Sequence, residues 1–204
     1  ATNSITAAMV GNDLISGKDA LASEPADTDE FLVSDAGTLK RIDYSLIKGG
    51  GITMAYQWRL TADFTGNADP ISSNWEQVDS DSPGGIGSAM SESSGIFTFP
   101  ETGIYLIVFE VSTSNSNASE YITSEIQTTS DNSSYDAATT TYGNAYSSGP
   151  VFSHITSQFI FDVTNTSTHK CKFKTVTQAG SNTTTKGDSN RNRTYVTFIR
   201  LGDT

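Results

Sequence analysis

Ser94-Gly95-Ile96-Phe97-Thr98-Phe99-Pro100-Glu101-Thr102-Gly103-Ile104-Tyr105-Leu106-Ile107-Val108-Phe109-Glu110-Val111 is the stretch that decides the fold. Gly95 and Phe97 open one strand. Pro100 has no N–H to give a sheet ladder, and together with Gly103 it predicts a tight corner. Tyr105 then leads a run of β-branched and aromatic residues suited to a central strand. The run falls far short of the roughly 20 apolar residues that a helical membrane span needs.

Outward from this stretch the pattern is strand after strand. Strands are expected near Tyr56–Phe64, Trp75–Val78, Gly95–Phe99, Ile104–Ser112, Tyr121–Thr128, Val151–Val163, Cys171–Thr177 and Tyr195–Leu201. Gly, Pro, Asn, Asp and Ser separate them at the spacing of an antiparallel sandwich. In Lys170-Cys171-Lys172-Phe173-Lys174, Cys171 and Phe173 face one way and three lysines the other. Tyr195-Val196-Thr197-Phe198-Ile199 is apolar on both faces, as in a strand covered twice. No stretch reads as a helix of ordinary length, and the expected fold class is an all-β jelly roll over residues 52–204.

Residues 1–51 read as a separate arm. Ser16 to Ala20 could start a helical turn, with Ser16 and Asp19 at capping-box spacing, and Pro25 stops it. Glu30–Asp35 and Thr38–Asp43 flank Ala36-Gly37 as a small hairpin, and Asp43 is placed to cap one helical turn over Tyr44–Lys48. Gly49-Gly50-Gly51 marks a hinge. An isolated hairpin is marginal in water, so this one calls for a partner surface.

Composition agrees with β-structure. The 204 residues include 28 Ser, 28 Thr and 12 Asn, a third of the chain, while only 17% are charged. A helical bundle would want Ala, Leu, Glu and Lys instead. The net charge of −11 argues against nucleic acid, whose phosphates need clustered Lys and Arg. No basic, apolar leader opens the sequence, so neither a secretory signal nor membrane insertion is expected. Residues 169–204 hold seven bases against two acids, whereas 56–168 hold thirteen acids and one base, Arg59. This asymmetry fits a solvated acidic surface, or a basic end of one subunit meeting the acidic middle of another.

The Gly95, Phe97, Pro100, Gly103 and Tyr105 spacing resembles the signature of C1q-like globular heads, members of the tumour-necrosis-factor-like jelly rolls. Trp75-Glu76-Gln77-Val78, Phe159-Ile160-Phe161-Asp162-Val163 and Tyr195-Val196-Thr197-Phe198-Ile199 fall in the family's order, and the resemblance covers roughly residues 55–204. Asn165-Thr166-Ser167-Thr168-His169 stands where the family often has Gly-Asp, and no collagen-like stalk precedes the head. Homotrimerisation is what the resemblance implies. Residues 24–45, Glu24 to Ser45, are similar to a short module of tail-fibre and other virion proteins of marine phages. Gln57-Trp58-Arg59-Leu60-Thr61 and Thr197-Phe198-Ile199-Arg200-Leu201-Gly202-Asp203 are similar to the terminal knobs of such proteins.

Chemical motifs are sparse. Ser45-Leu46-Ile47-Lys48 matches Ser-x-x-Lys without its partner motifs. Gly84-Gly85-Ile86-Gly87 lacks the Lys and helix of a phosphate loop. His154 and His169 have no metal-ligand neighbour in sequence, so structural roles are expected for both. No cofactor is expected. Asp79-Ser80-Asp81 begins like a calcium loop, but Pro83 and Met90 fall where an EF-hand needs ligands, which leaves Asp79 and Asp81 as calcium candidates. Five Asn-x-Ser/Thr sites, at Asn117, Asn132, Asn165, Asn182 and Asn192, are close to the roughly three that chance supplies in so hydroxyl-rich a chain. Ser130 to Pro150 carries Tyr135, Tyr142 and Tyr146 amid Ser, Thr, Gly and Asn. It reads as an adaptable binding loop for a receptor or glycan, or as a hydroxyl-rich strand and loop on an outer face. Cys171, the single cysteine, is expected to be a buried free thiol.

The expected function is non-enzymatic: a trimeric knob on the exterior of a phage virion, held to other virion proteins by the arm and contacting a host receptor or glycan. A capsid decoration trimer and a secreted complement-like lectin are the alternatives.

Overall fold

A computed structural model of the chain describes residues 17–47, 51–115, 119–145, 151–178 and 182–204. The chain divides into two compact units, residues 1–49 and 50–204. More than half of it is strand, and no α-helix occurs among the described residues.

In the first unit, β1 (Glu30–Asp35) and β2 (Thr38–Asp43) pair antiparallel in the expected register. Ala36 and Gly37 both have positive φ, 49° and 85°, the requirement of a two-residue type I′ hairpin. Every residue of the two strands except Ile42 is open to solvent, and Leu32 and Leu39 are 77% and 69% exposed. A 3-10 turn follows over Tyr44–Leu46, with no side-chain cap from Asp43. The cap expected there is not made, although Asp43 has the extended backbone an N-cap residue usually adopts. Residues 17–20 form no helix, and Ser16, Lys48, Gly49 and Gly50 lie outside the described residues.

The second unit is a two-sheet sandwich. Its strands are β3 (Met54–Leu60), β4 (Phe64–Thr65), β5 (Trp75–Gln77), β6 (Ser91–Ser93), β7 (Ile96–Thr98), β8 (Gly103–Asn115), β9 (Ser119–Thr129), β10 (Asp136–Ala145), β11 (Val151–Val163), β12 (Lys170–Thr177), β13 (Thr183–Thr185) and β14 (Tyr195–Gly202). One sheet has the order β10-β9-β12-β7-β6. The other runs β4-β13-β8-β14-β3-β5, with β11 on the free side of β8. This is a jelly roll, as the alternation implied. The expected strand Tyr56–Phe64 divides into β3 and β4, because Leu60 O and the Asp63 carboxylate turn aside to receive the backbone N–H groups of Asp188 and Gly187.

The signature glycines have steric reasons. Ser94-Gly95 is the β6–β7 turn, both residues at positive φ, and a Cβ on Gly95 would stand 2.4 Å from Ile71 O. Pro100 lies in the bend that carries the chain from one sheet to the other. Gly103, at φ 147°, would put a Cβ 2.4 Å from the Arg200 Nε. The Tyr105 hydroxyl donates to Glu101 O across the same bend at 2.9 Å, and burial pushes its pKa up to about 12.

Between the sheets, Phe97 is fully buried and rings surround it: Trp58, Trp75, Phe173 and Phe198, with centroids 5.3–5.6 Å away. This aromatic core occupies the middle and the entry end, where the chain joins β3. Cys171 is buried within the same core, and desolvation holds its thiol well above the ordinary value. At the far end the interior turns hydroxylic. Thr113, Thr175, Thr177, Thr183 and Thr185 are all buried, and their Oγ1 atoms find no hydrogen-bond partner among the described residues. A buried hydroxyl without a partner costs stability that an isosteric apolar side chain does not. Thr183→Val is therefore expected to raise stability by about 1 kcal/mol, seen as a higher urea midpoint at unchanged m-value; a lower midpoint would show that the hydroxyl is satisfied in solution.

Candidate assembly face and polar cleft

The side of the seven-stranded sheet turned away from the core is built in rows by the strand register. Ala55, Ile199, Leu106 and Ile160 lie side by side across β3, β14, β8 and β11. They make an apolar row four strands wide, and Ile160 is 59% exposed. Open pockets of about 240 and 180 Å³ lie on the β11 side, against Leu106, Phe159 and Ile160, and on the β3 side, against Ala55 and Ile199. The next row is Gln57, Thr197, Val108 and Gln158, where Gln57 Nε2 donates to Thr197 Oγ1 at 2.9 Å. In the third row Glu110 lies between Tyr195 and Thr156. Thr156 donates to Glu110 Oε2 at 2.9 Å, and Glu110 helps burial raise the Tyr195 pKa. An apolar band grading into amide and hydroxyl groups is the composition of a protein-binding surface.

The same face sets Ser112, His154 and Glu110 in line. His154 Nδ1 lies 3.2 Å from Ser112 Oγ, and Nε2 meets Glu110 Oε2. These are the residue types of a hydrolytic triad, but acyl transfer also needs N–H donors aimed at the developing oxyanion. The backbone N–H groups of β8 are shared between the ladder to β11 and those to β13 and β14, and none of the described pockets is lined by the three side chains. The row orients side chains on a sheet. His169 closes the turn Asn165–His169, bonded to Asn165 O and stacked near Phe161.

Arg59, the lone base of the middle segment, is 1% exposed. Its Nε donates to Glu76 at 2.8 Å, Nη1 to Ser80 and Nη2 to Asp79, both at 2.7 Å, and Nη2 also to Ser189 O. Above it opens a cleft of about 300 Å³ between residues 78–81 and 190–192. Of the two calcium candidates, Asp79 thus serves the guanidinium, while Asp81 lines the cleft. Among the described residues no group of three or more His, Cys, Asp or Glu side chains is placed to hold a metal ion.

Tyr135 and Tyr142 stand apart. Tyr135 is half-buried beside β12, with the Lys172 ammonium 4.9 Å from its ring centre. Tyr142 stands on β10, 71% exposed, its ring 6.2 Å from that of Tyr121. Strand rise puts Tyr135 and Tyr142 about 20 Å apart, and Tyr146 lies outside the described residues. Most bases of the C-terminal segment also pair at home: Lys172 and Lys174 with Asp69, Lys186 with Asp63, Arg193 with Asp188, and Arg200 with Asp203. They are already neutralised within the chain, which favours a solvated acidic surface over charge pairing between subunits.

The assembly row was missed as a site, although its signal was present. Tyr195–Ile199 is apolar on both faces, and the run Gly103–Val111 has the same property; a sheet with one face in solvent needs neither.

The fold defined by these two sheets is a TNF-like jelly roll. Among solved structures it matches murine APRIL at pH 5.0, with a TM-score of 0.53 and 11% identity over 72% of this chain and 98% of that one. It also matches Eiger TNF from S. frugiperda, with a TM-score of 0.50 and 12% identity over 76% and 96%. No family model and no curated protein matches the sequence.

Proposed function

We propose that the chain is a non-enzymatic virion surface protein of a phage, a homotrimeric knob held on the particle by its N-terminal arm and turned toward the host. The observation that carries the reading is the apolar row Ala55–Ile199–Leu106–Ile160, which a monomer leaves in water. A closed ring of three copies would cover it, as the resemblance to C1q-like heads implies. The arm supports anchoring: its hairpin exposes Leu32 and Leu39, and the turn that follows exposes Leu46 and Ile47. The virion assignment draws on the similarity of residues 24–45 to modules of phage virion proteins.

Deleting residues 1–51 should leave a folded trimer by light scattering that no longer joins particles. A truncated head that still incorporates would overturn the anchoring. Immunogold labelling separates the two placements: gold at fibre tips supports attachment, and gold over the capsid makes the protein a decoration trimer.

A further inference from the structure

We propose that the cleft above Arg59 is a saccharide-binding site that grips neutral sugar hydroxyls. Its floor is fixed: Arg59 is buried and held by Glu76, Asp79, Ser80 and the Ser189 carbonyl. Its rim is unspent. Asp81 and Arg191 both line the cleft, and neither makes a hydrogen bond or ion pair among the described residues. The Asn192 Nδ2 donates to Gln57, which leaves its oxygen turned to other donors, and the Asn190 side chain has only a long 3.4 Å contact with Ser189. Asp81 and Ser82 hold left-handed backbone, φ 61° and 56°, at the lip.

The lining chooses among ligand classes. A cation would face the Arg191 guanidinium. A phosphate or sulfate would face Asp81, while Arg59 is already neutralised by Glu76 and Asp79. An apolar ligand would find only Val78. What remains is a neutral molecule with adjacent groups that each donate and accept, matched by a carboxylate, a guanidinium and two amides. Vicinal sugar hydroxyls have that chemistry, and about 300 Å³ sits at the small end of ligand sites, room for one sugar ring.

The inference gives the knob's host contact a place and a chemistry, and it rests on the virion reading only for the source of the sugar. The test is a glycan array probed with the protein, alongside Asp81→Asn, Arg191→Ala and, as a control on the other sheet, Ser93→Ala. All three side chains are exposed, so the variants keep the fold. Neutral oligosaccharides should be retained, about tenfold more weakly by each cleft variant and unchanged by Ser93→Ala. An empty array, retention of acidic glycans alone, or binding indifferent to both cleft substitutions would overturn the site. The retained sugar, added free, should then block particle adsorption. Persistent array binding with unblocked adsorption would keep the cleft and remove the host role.

Discussion

A Leu106→Glu head is expected to run as a folded monomer under conditions where the unaltered head forms the proposed trimer. Leu106 sits at the centre of the apolar row, flanked by Ile199 and Ile160, and is only half-buried in the isolated chain. A carboxylate there is solvated in a monomer, so circular dichroism and the unfolding midpoint should hardly change. In an assembled ring the same carboxylate would be buried without a partner. That costs several kcal/mol, and with each ~1.4 kcal/mol worth about tenfold, association falls by about a thousandfold. Ser114→Glu, on the same face of β8 but beyond the row, serves as the control and should leave the mass unchanged. A Leu106→Glu protein that keeps the trimer mass would show that copies meet through another surface.

Phe97→Ala should be the most destabilising single truncation in the head. The ring is inaccessible to solvent and touches aromatic side chains from β3, β12, β14 and the residue that opens β5. Truncation removes the transfer free energy of the ring and leaves a cavity between two sheets, each too stiff within its own hydrogen-bonded ladder to collapse onto it. The expected loss is about 4 kcal/mol, or about 10 °C in melting temperature for a domain of this size. Phe159→Ala, on a strand at the sheet edge and only partly buried, should cost less than half as much. Equal losses at the two positions would mean that the core is not centred on Phe97.

The sandwich was legible because its long strands carry their own periodicity. Lys170–Lys174 alternates, and the burial of β12 follows that alternation through to Thr177. Strands of two or three residues, such as β4, β6 and β13, span less than two periods and have no pattern to read. β10 was ambiguous for another reason: its Ala, Thr and Gly side chains neither fill a core nor mark a turn, and it is β9 that gives it its place. The cleft was legible only in part. Asp79 and Asp81 stood out as neighbours in sequence, but Arg59 stands 20 positions before Asp79 and residues 190–192 come in from more than a hundred positions away. No local spacing announces a contact of that kind. The assembly row was spelled out in the sequence as apolar residues on both faces of two strands, and needed only the register to join them.

The chain enters the sandwich at Met54, paired with Arg200, whereas Arg59 and its cleft lie at the opposite end of β3, paired with Tyr195. A tether pulling at the entry against a ligand held in the cleft therefore pulls lengthwise along β3. Ladder hydrogen bonds run across the strands, so the load is shared among all the β3–β14 bonds at once instead of breaking them in turn. Under the proposed attachment, tension along the chain would be met by shear, the direction in which a paired strand yields last.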